Sequence, residues 1–222
     1  MAMTPVKDGP PAAAPPGEAP GGHRLALAAR GMRVRYRRDT LLIQEGDVGD
    51  SLYIVQEGRL KAFSVGQDGR ELVYGIIGPG DLVGEMSLDG GPRSASVLTL
   101  TETTCAVVRR DLLRQYIAEH PDFAFELIGL VIGRARRATE SARDMALLDV
   151  YGRVARLLDT LALPQPDGTR RVLERLTHRD IASRVGASRE MVSRIMKDLS
   201  TGGYVRVDGH DTVLVRALPP AW

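Results

Sequence analysis

Hydrophobic and polar positions fall into three successive rhythms along the chain. From Met32 to Val108 the rhythm is short and two-fold. Met32-Arg33-Val34-Arg35-Tyr36, Leu60-Lys61-Ala62-Phe63-Ser64-Val65 and Ser94 to Leu100 alternate, while Leu52-Tyr53-Ile54-Val55 and Cys105-Ala106-Val107-Val108 are brief apolar runs. Turn signals separate them: Glu45-Gly46-Asp47, Glu57-Gly58, Gln67-Asp68-Gly69 and Gly78-Pro79-Gly80-Asp81. Roughly eight short strands, about ten residues apart, predict an antiparallel barrel or sandwich. After Arg110 the spacing becomes helical, beginning with Leu112, Leu113, Tyr116 and Ile117. Over 122–148 no proline occurs, and Ile128, Val131, Ala135, Ala138, Ala142 and Met145 recur at alternating steps of three and four. That is a coiled-coil seam. A helix of about 27 residues spans about 40 Å, too long for one small domain to cover, so part of its stripe calls for a second copy of the helix.

The third rhythm begins after Asp149. Val154, Leu157, Leu158 and Leu161 give a helical face, and Pro164 to Gly168 makes a loop. Thr177-His178-Arg179-Asp180 has the form of a capping box, and Ile181, Ala182 and Val185 share one face. Gly186 suits a left-handed helix end, Ser188 can cap a second helix, and Met191, Val192, Ile195, Met196 and Leu199 give that helix an apolar side. Helix, glycine turn and helix make a helix-turn-helix. Two β-prone runs around Asp208-Gly209-His210-Asp211 add a wing hairpin.

Charge sharpens this picture. The 222-residue chain carries a net charge of only +2, but between Arg170 and Asp198 eight Arg/Lys face four acids. A local basic excess suits a phosphate-binding surface. Arg189, Glu190 and Ser193 or Arg194 lie opposite the apolar stripe of the second helix. Arg can donate a fork to guanine, and Glu can accept from cytosine.

In the front half, Gly84-Glu85-Met86-Ser87-Leu88 precedes Gly90-Gly91 and then Pro92-Arg93-Ser94-Ala95. A cyclic phosphate needs a fixed positive charge, backbone N–H groups and hydroxyl donors. Arg93, Ser94 and the glycine-flanked backbone offer these, and Glu85 offers a carboxylate for a ribose hydroxyl.

Both motifs resemble those of the CRP/FNR (catabolite activator protein) family, over about residues 24–216. The resemblance implies an α+β fold: an N-terminal cyclic-nucleotide-binding antiparallel β-roll, a long dimerisation helix and a C-terminal winged helix-turn-helix. It implies a ligand set of Gly84, Glu85, Met86, Ser87, Arg93, Ser94 and Ala95, with Thr139 reaching the purine from the long helix. Ala138 stands where the family carries a hydroxyl, so the base preference is open: cAMP is the first expectation, with cGMP, cyclic-di-GMP or ligand independence as alternatives. It implies Arg189, Glu190 and Arg194 as base readers. Ser193 shares their face, and Thr177 and Ser188 join them as phosphate contacts. The partners expected are double-stranded DNA, a second copy of the chain through 122–148, and RNA polymerase as a further candidate. The expected domains are a disordered Pro/Ala/Gly-rich tail at 1–22, the roll at 23–121, the helix at 122–148 and the DNA-reading domain at 149–222.

Other classes are disfavoured. No Ser/His/Asp set, P-loop or metal-ligand spacing is evident, so neither an enzyme nor a metal site is expected. One cysteine, Cys105, excludes an internal disulfide and a four-cysteine cluster. No apolar run is long enough for a membrane span, and no secretory signal is evident, so the expected location is the cytoplasm.

Overall fold

The computed structural model describes residues 22–209 and 211–219. The tail expected at 1–22 falls outside these residues except for Gly22, which opens helix α1 (Gly22–Arg30) instead. Eight antiparallel strands follow: β1 (Met32–Tyr36), β2 (Leu41–Ile43), β3 (Ser51–Glu57), β4 (Leu60–Val65), β5 (Glu71–Ile77), β6 (Leu82–Val83), β7 (Ser96–Thr99) and β8 (Thr103–Arg109). They form two four-stranded sheets, ordered β1-β8-β3-β6 and β2-β7-β4-β5, which make the roll. Alternation on β3 explains how one strand serves two cores. Val55 packs with Ile43, Leu60, Ile77, Val83, Val97 and Cys105 inside the roll, whereas Leu52 and Ile54 pack outward against helices. Those helices are α1, α2 (Arg110–Glu119) and the start of α3 (Asp122–Leu147), which bring Leu27, Leu113, Tyr116, Phe123 and Leu127 to the outer core. Gly58 has no alternative at the β3–β4 turn: φ is +88°, and a Cβ there would lie 2.4 Å from the Glu102 carbonyl.

Burial disfavours the thiolate and pushes the Cys105 thiol up to about 11. At pH 8 only about a thousandth of it is ionised. A thiol reagent should therefore find no reactive group in the native protein at pH 8 and one after unfolding in guanidinium. Fast reaction of the native chain would place Cys105 outside the core.

Helix α3 has 26 residues and runs on past the roll. Only Phe123 and Leu127, near its start, are buried. Phe125 is 73% exposed, Ile128 52% and Ile132 45%, while Ala135, Ala138 and Ala142 are bare. This is the uncovered stripe that the periodicity required. The helix ends at Leu147, one residue before the expected bound, because Leu148 turns to extended backbone at φ −109° and ψ 140°. Asp149 then caps α4 (Val150–Leu161), accepting from Gly152 N at 2.7 Å. Across this bend Arg156 pairs with Asp144. Arg153 donates to the Leu148 carbonyl and to the Val185 carbonyl, each at 2.8 Å.

The C-terminal part packs α4, α5 (His178–Val185) and α6 (Arg189–Thr201) against a four-stranded sheet. Its strands, β9 (Ala162–Pro164), β10 (Arg170–Val172), β11 (Val205–Asp208) and β12 (Asp211–Leu214), take the order β11-β12-β10-β9, and β11 and β12 form the wing. Val154, Leu158, Val172, Ile181, Val192, Leu199, Val205 and Leu214 fill this core. Among the described residues, no helix is long and apolar enough to cross a membrane.

Candidate functional site

At the roll, Gly84 adopts φ +97° and starts a single 3-10 turn over Glu85–Ser87. A Cβ at Gly84 would lie 2.7 Å from Arg93 Nη1 and 2.8 Å from the Ser51 carbonyl, so glycine is needed both for the angle and for the approach. Arg93 is 7% exposed. Its Nη1 donates to the Gly84 carbonyl at 2.8 Å and its Nη2 to the Ser51 carbonyl at 2.9 Å. No carboxylate forms an ion pair with it among the described residues. A buried guanidinium held only by carbonyls retains donors and an uncompensated charge, which fits an anion.

Glu85 is 4% exposed. Its Oε1 accepts from Arg134 Nη1, and its Oε2 is buried without a hydrogen-bond partner. An orphaned carboxylate oxygen fits a hydroxyl donor such as a sugar's. Arg134 is the residue that sequence reasoning missed. It also donates from Nη2 to the Leu82 carbonyl at 2.6 Å, so α3 is tied both to β6 and to the 3-10 turn after it. Its signal was its position, one helical turn before Ala138 on the same face.

Arg93 lines a hollow of about 250 Å³ with Ile43, Asp47, Gly49, Ser51 and Tyr53, and Glu85 is absent from its lining. Arg134 covers Glu85, and the two motif residues are linked through Gly84. Ser87 is spent on structure: its hydroxyl meets the Gly49 and Gly84 carbonyls at 3.3 and 3.2 Å. Met86 and Ser94 are exposed and Ala95 is half-buried, all on the same short loop. Thr139 does not join the set within one chain. Its hydroxyl donates to the Ala135 carbonyl at 3.0 Å, and it lines a separate hollow with Ile132, Ala135, Arg136, Glu140 and Arg143 on the uncovered stripe.

At the other end the capping box is complete. Thr177 Oγ1 accepts from Asp180 N at 3.1 Å, and Asp180 Oδ2 accepts from Thr177 N at 2.8 Å. The Thr177 hydroxyl lies 2.6 Å from that same Oδ2, so it is committed to the cap rather than free for a phosphate. Ser188 Oγ accepts from Met191 N at 3.2 Å, which leaves its own proton to donate. Gly186 sits at φ +65°, as the turn needs. On α6, Val192, Met196 and Leu199 are buried, whereas Met191 is 41% exposed and leaves the expected apolar face. Arg189, Glu190 and Arg194 are exposed and form no side-chain hydrogen bond or ion pair among the described residues. Ser193 is half-buried, with Oγ 3.1 Å from His178 Nδ1. Among the described residues no group of His, Cys, Asp and Glu is placed to hold a metal.

Comparison with known proteins agrees with this division. Residues 33–120 match the cyclic nucleotide-binding domain and residues 152–219 the Crp-like helix-turn-helix domain. The chain is 37% identical over 193 residues to the CRP-like cAMP-activated global transcriptional regulator of Mycobacterium tuberculosis, covering 85% of this chain and 86% of the relative. It is 30% identical over 187 residues to the cAMP-activated global transcriptional regulator CRP of Salmonella typhimurium, covering 81% and 88%. Among solved structures, the c-di-GMP responsive global regulator CLP of Xanthomonas campestris matches with a TM-score of 0.74 and 29% identity, covering 87% of this chain and 98% of that one. Two matched domains in this order, and relatives aligned over most of both lengths, place the chain in the CRP/FNR family of DNA-binding transcriptional regulators.

Proposed function

We propose that the chain works in the cytoplasm as a homodimer that reads an imperfect palindrome, with cAMP setting its affinity for that site. The observation that carries the ligand half is Arg93, a buried guanidinium that no carboxylate pairs among the described residues. A cyclic phosphodiester supplies the missing anion, and a ribose hydroxyl supplies a donor for Glu85 Oε2. Arg134 holds the other oxygen of Glu85, so ligand entry is felt on α3 about 21 Å before the bend at Leu148. The bare stripe of α3 supports pairing with a second helix, which would bring the hollow beside Thr139 against the partner. Two reading helices about 34 Å apart would then enter successive major grooves. By linkage, DNA tightens cAMP binding by the same factor that cAMP tightens DNA binding. RNA polymerase is the further partner of this reading.

The name of the Xanthomonas relative, together with Ala138, favours cyclic-di-GMP as a second reading. One titration separates them. Operator affinity, with the operator obtained by in vitro selection, should rise with cAMP and stay flat with cGMP and cyclic-di-GMP. Arg189→Ala should lower that affinity by about 1–3 kcal/mol while leaving random DNA unchanged. A response to cyclic-di-GMP alone would establish the second reading, and equal losses on both DNAs would remove Arg189 from base reading.

A further inference from the structure

Ser193 behaves differently from the hydroxyls that bond back to their own helices. Thr139 and Thr160 turn back to the carbonyls of Ala135 and Arg156 on their own helices, at 3.0 and 2.8 Å. Such back-bonding is the ordinary resting place of a mid-helix hydroxyl. Ser193 makes no such bond; its one partner among the described residues is His178 Nδ1, at 3.1 Å. His178 is the first residue of α5, and its backbone is pinned by the Thr177–Asp180 box beside it. The imidazole therefore reaches α6 from a rigid base. Ser193 lies three residues after Glu190 and four after Arg189, on their face of the helix. The second ring nitrogen of His178 has no partner among the described residues.

We propose that His178 is a positioning residue for sequence reading: it holds the Ser193 hydroxyl off its own helix and aims it at the groove that Arg189, Glu190 and Arg194 face. The inference rests on the DNA-reading function proposed above. Its chemistry is amphoteric. When Nδ1 accepts from Ser193, Nε2 donates outward and the serine oxygen accepts. In the other tautomer Nε2 accepts and the serine proton points outward. Either way the pair offers one donor and one acceptor. The two outward groups lie at opposite ends of the imidazole and cannot share one base edge, so the Ser193 hydroxyl, held in place by His178, is the group that reads a base at one position.

The test is binding-site selection, followed by titration on the selected site and on random DNA. It uses the full chain with cAMP present, for the wild type, His178→Ala, Ser193→Ala, the double variant and His178→Gln. Each alanine variant should lose preference at the same single base position by about 3- to 10-fold, the worth of one neutral hydrogen bond. The double variant should lose no more than either alone. His178→Gln, which keeps a neutral polar arm, should restore the preference. Affinity for random DNA and the salt slope should not move. Additive losses, or equal losses on random DNA, would overturn the proposal. If the wild type selects no sequence at all, the DNA-reading function falls with it. If the wild type reads its site and His178→Ala reads it equally well, only the role of His178 falls.

Discussion

Arg93→Gln should weaken cAMP binding by about two to three orders of magnitude, measured by calorimetry on the purified protein. The size follows from what is lost. Hydrogen bonds between a charged donor and a phosphate are each worth about 1.5–3 kcal/mol, and the guanidinium can offer two in a water-poor site. Among the described residues Arg93 has no anionic partner to be abandoned, so its removal strands no buried carboxylate there. The carbonyls of Gly84 and Ser51 do lose donors, and a modest fall in melting temperature should accompany the change. Arg93→Lys is the informative companion, because it keeps the charge and loses the planar fork. It should recover part of the affinity, and DNA binding without cAMP should match the wild type in both variants. A cAMP affinity within about three-fold of wild type for Arg93→Gln would show that the phosphate is held elsewhere.

Ala135→Asp should have the second large effect, on assembly. Ala135 is exposed in the single chain and lies on the stripe that also carries Ile128 and Ile132. Its replacement therefore disturbs no contact of the roll or the DNA-reading part. In a parallel pair of helices it would place two carboxylates together across the axis, and facing like charges in an interface cost several kcal/mol. Sedimentation equilibrium should show dimerisation weakened by about 100-fold, with the melting of each folded part retained. Affinity for a full palindrome should drop toward that for a half-site, because the two readings are no longer made by one particle. An unchanged dimer would move the interface to another face.

How much of this was legible in the residues depends on how local the cause was. β1 and β4 have the bounds that alternation suggested, although in β4 the buried residues are Leu60 and Phe63, three apart rather than two. β5 gave no alternation, since the ladder slips between Ala62 and Phe63, where Gly75 and Val73 are the partners and Tyr74 is extra. Helix α1 was invisible behind glycines and alanines, and it is anchored mainly by Leu27 and Ala28. Thr177, Gly186 and Ser188 announced the helix ends correctly, because caps are chemistry within a few residues. What the caps consume was not legible: the Thr177 hydroxyl is absorbed by Asp180. Glu85 and Arg93 were found from their motif, but Arg134 was not, because its role depends on which face of α3 lies over the 3-10 turn. Nor could the sequence tell that Ser193 would meet His178 across the helix-turn-helix.

Arg153 touches the carbonyl at the bend and the carbonyl at the end of α5 with one planar group. The elbow and the reading head are thus yoked: a change of backbone angle at Leu148 cannot be absorbed by slack between α4 and α5, and must reappear as a swing of α6. A few degrees at the fulcrum become a displacement at the far side of the lever, where fit to the groove is decided.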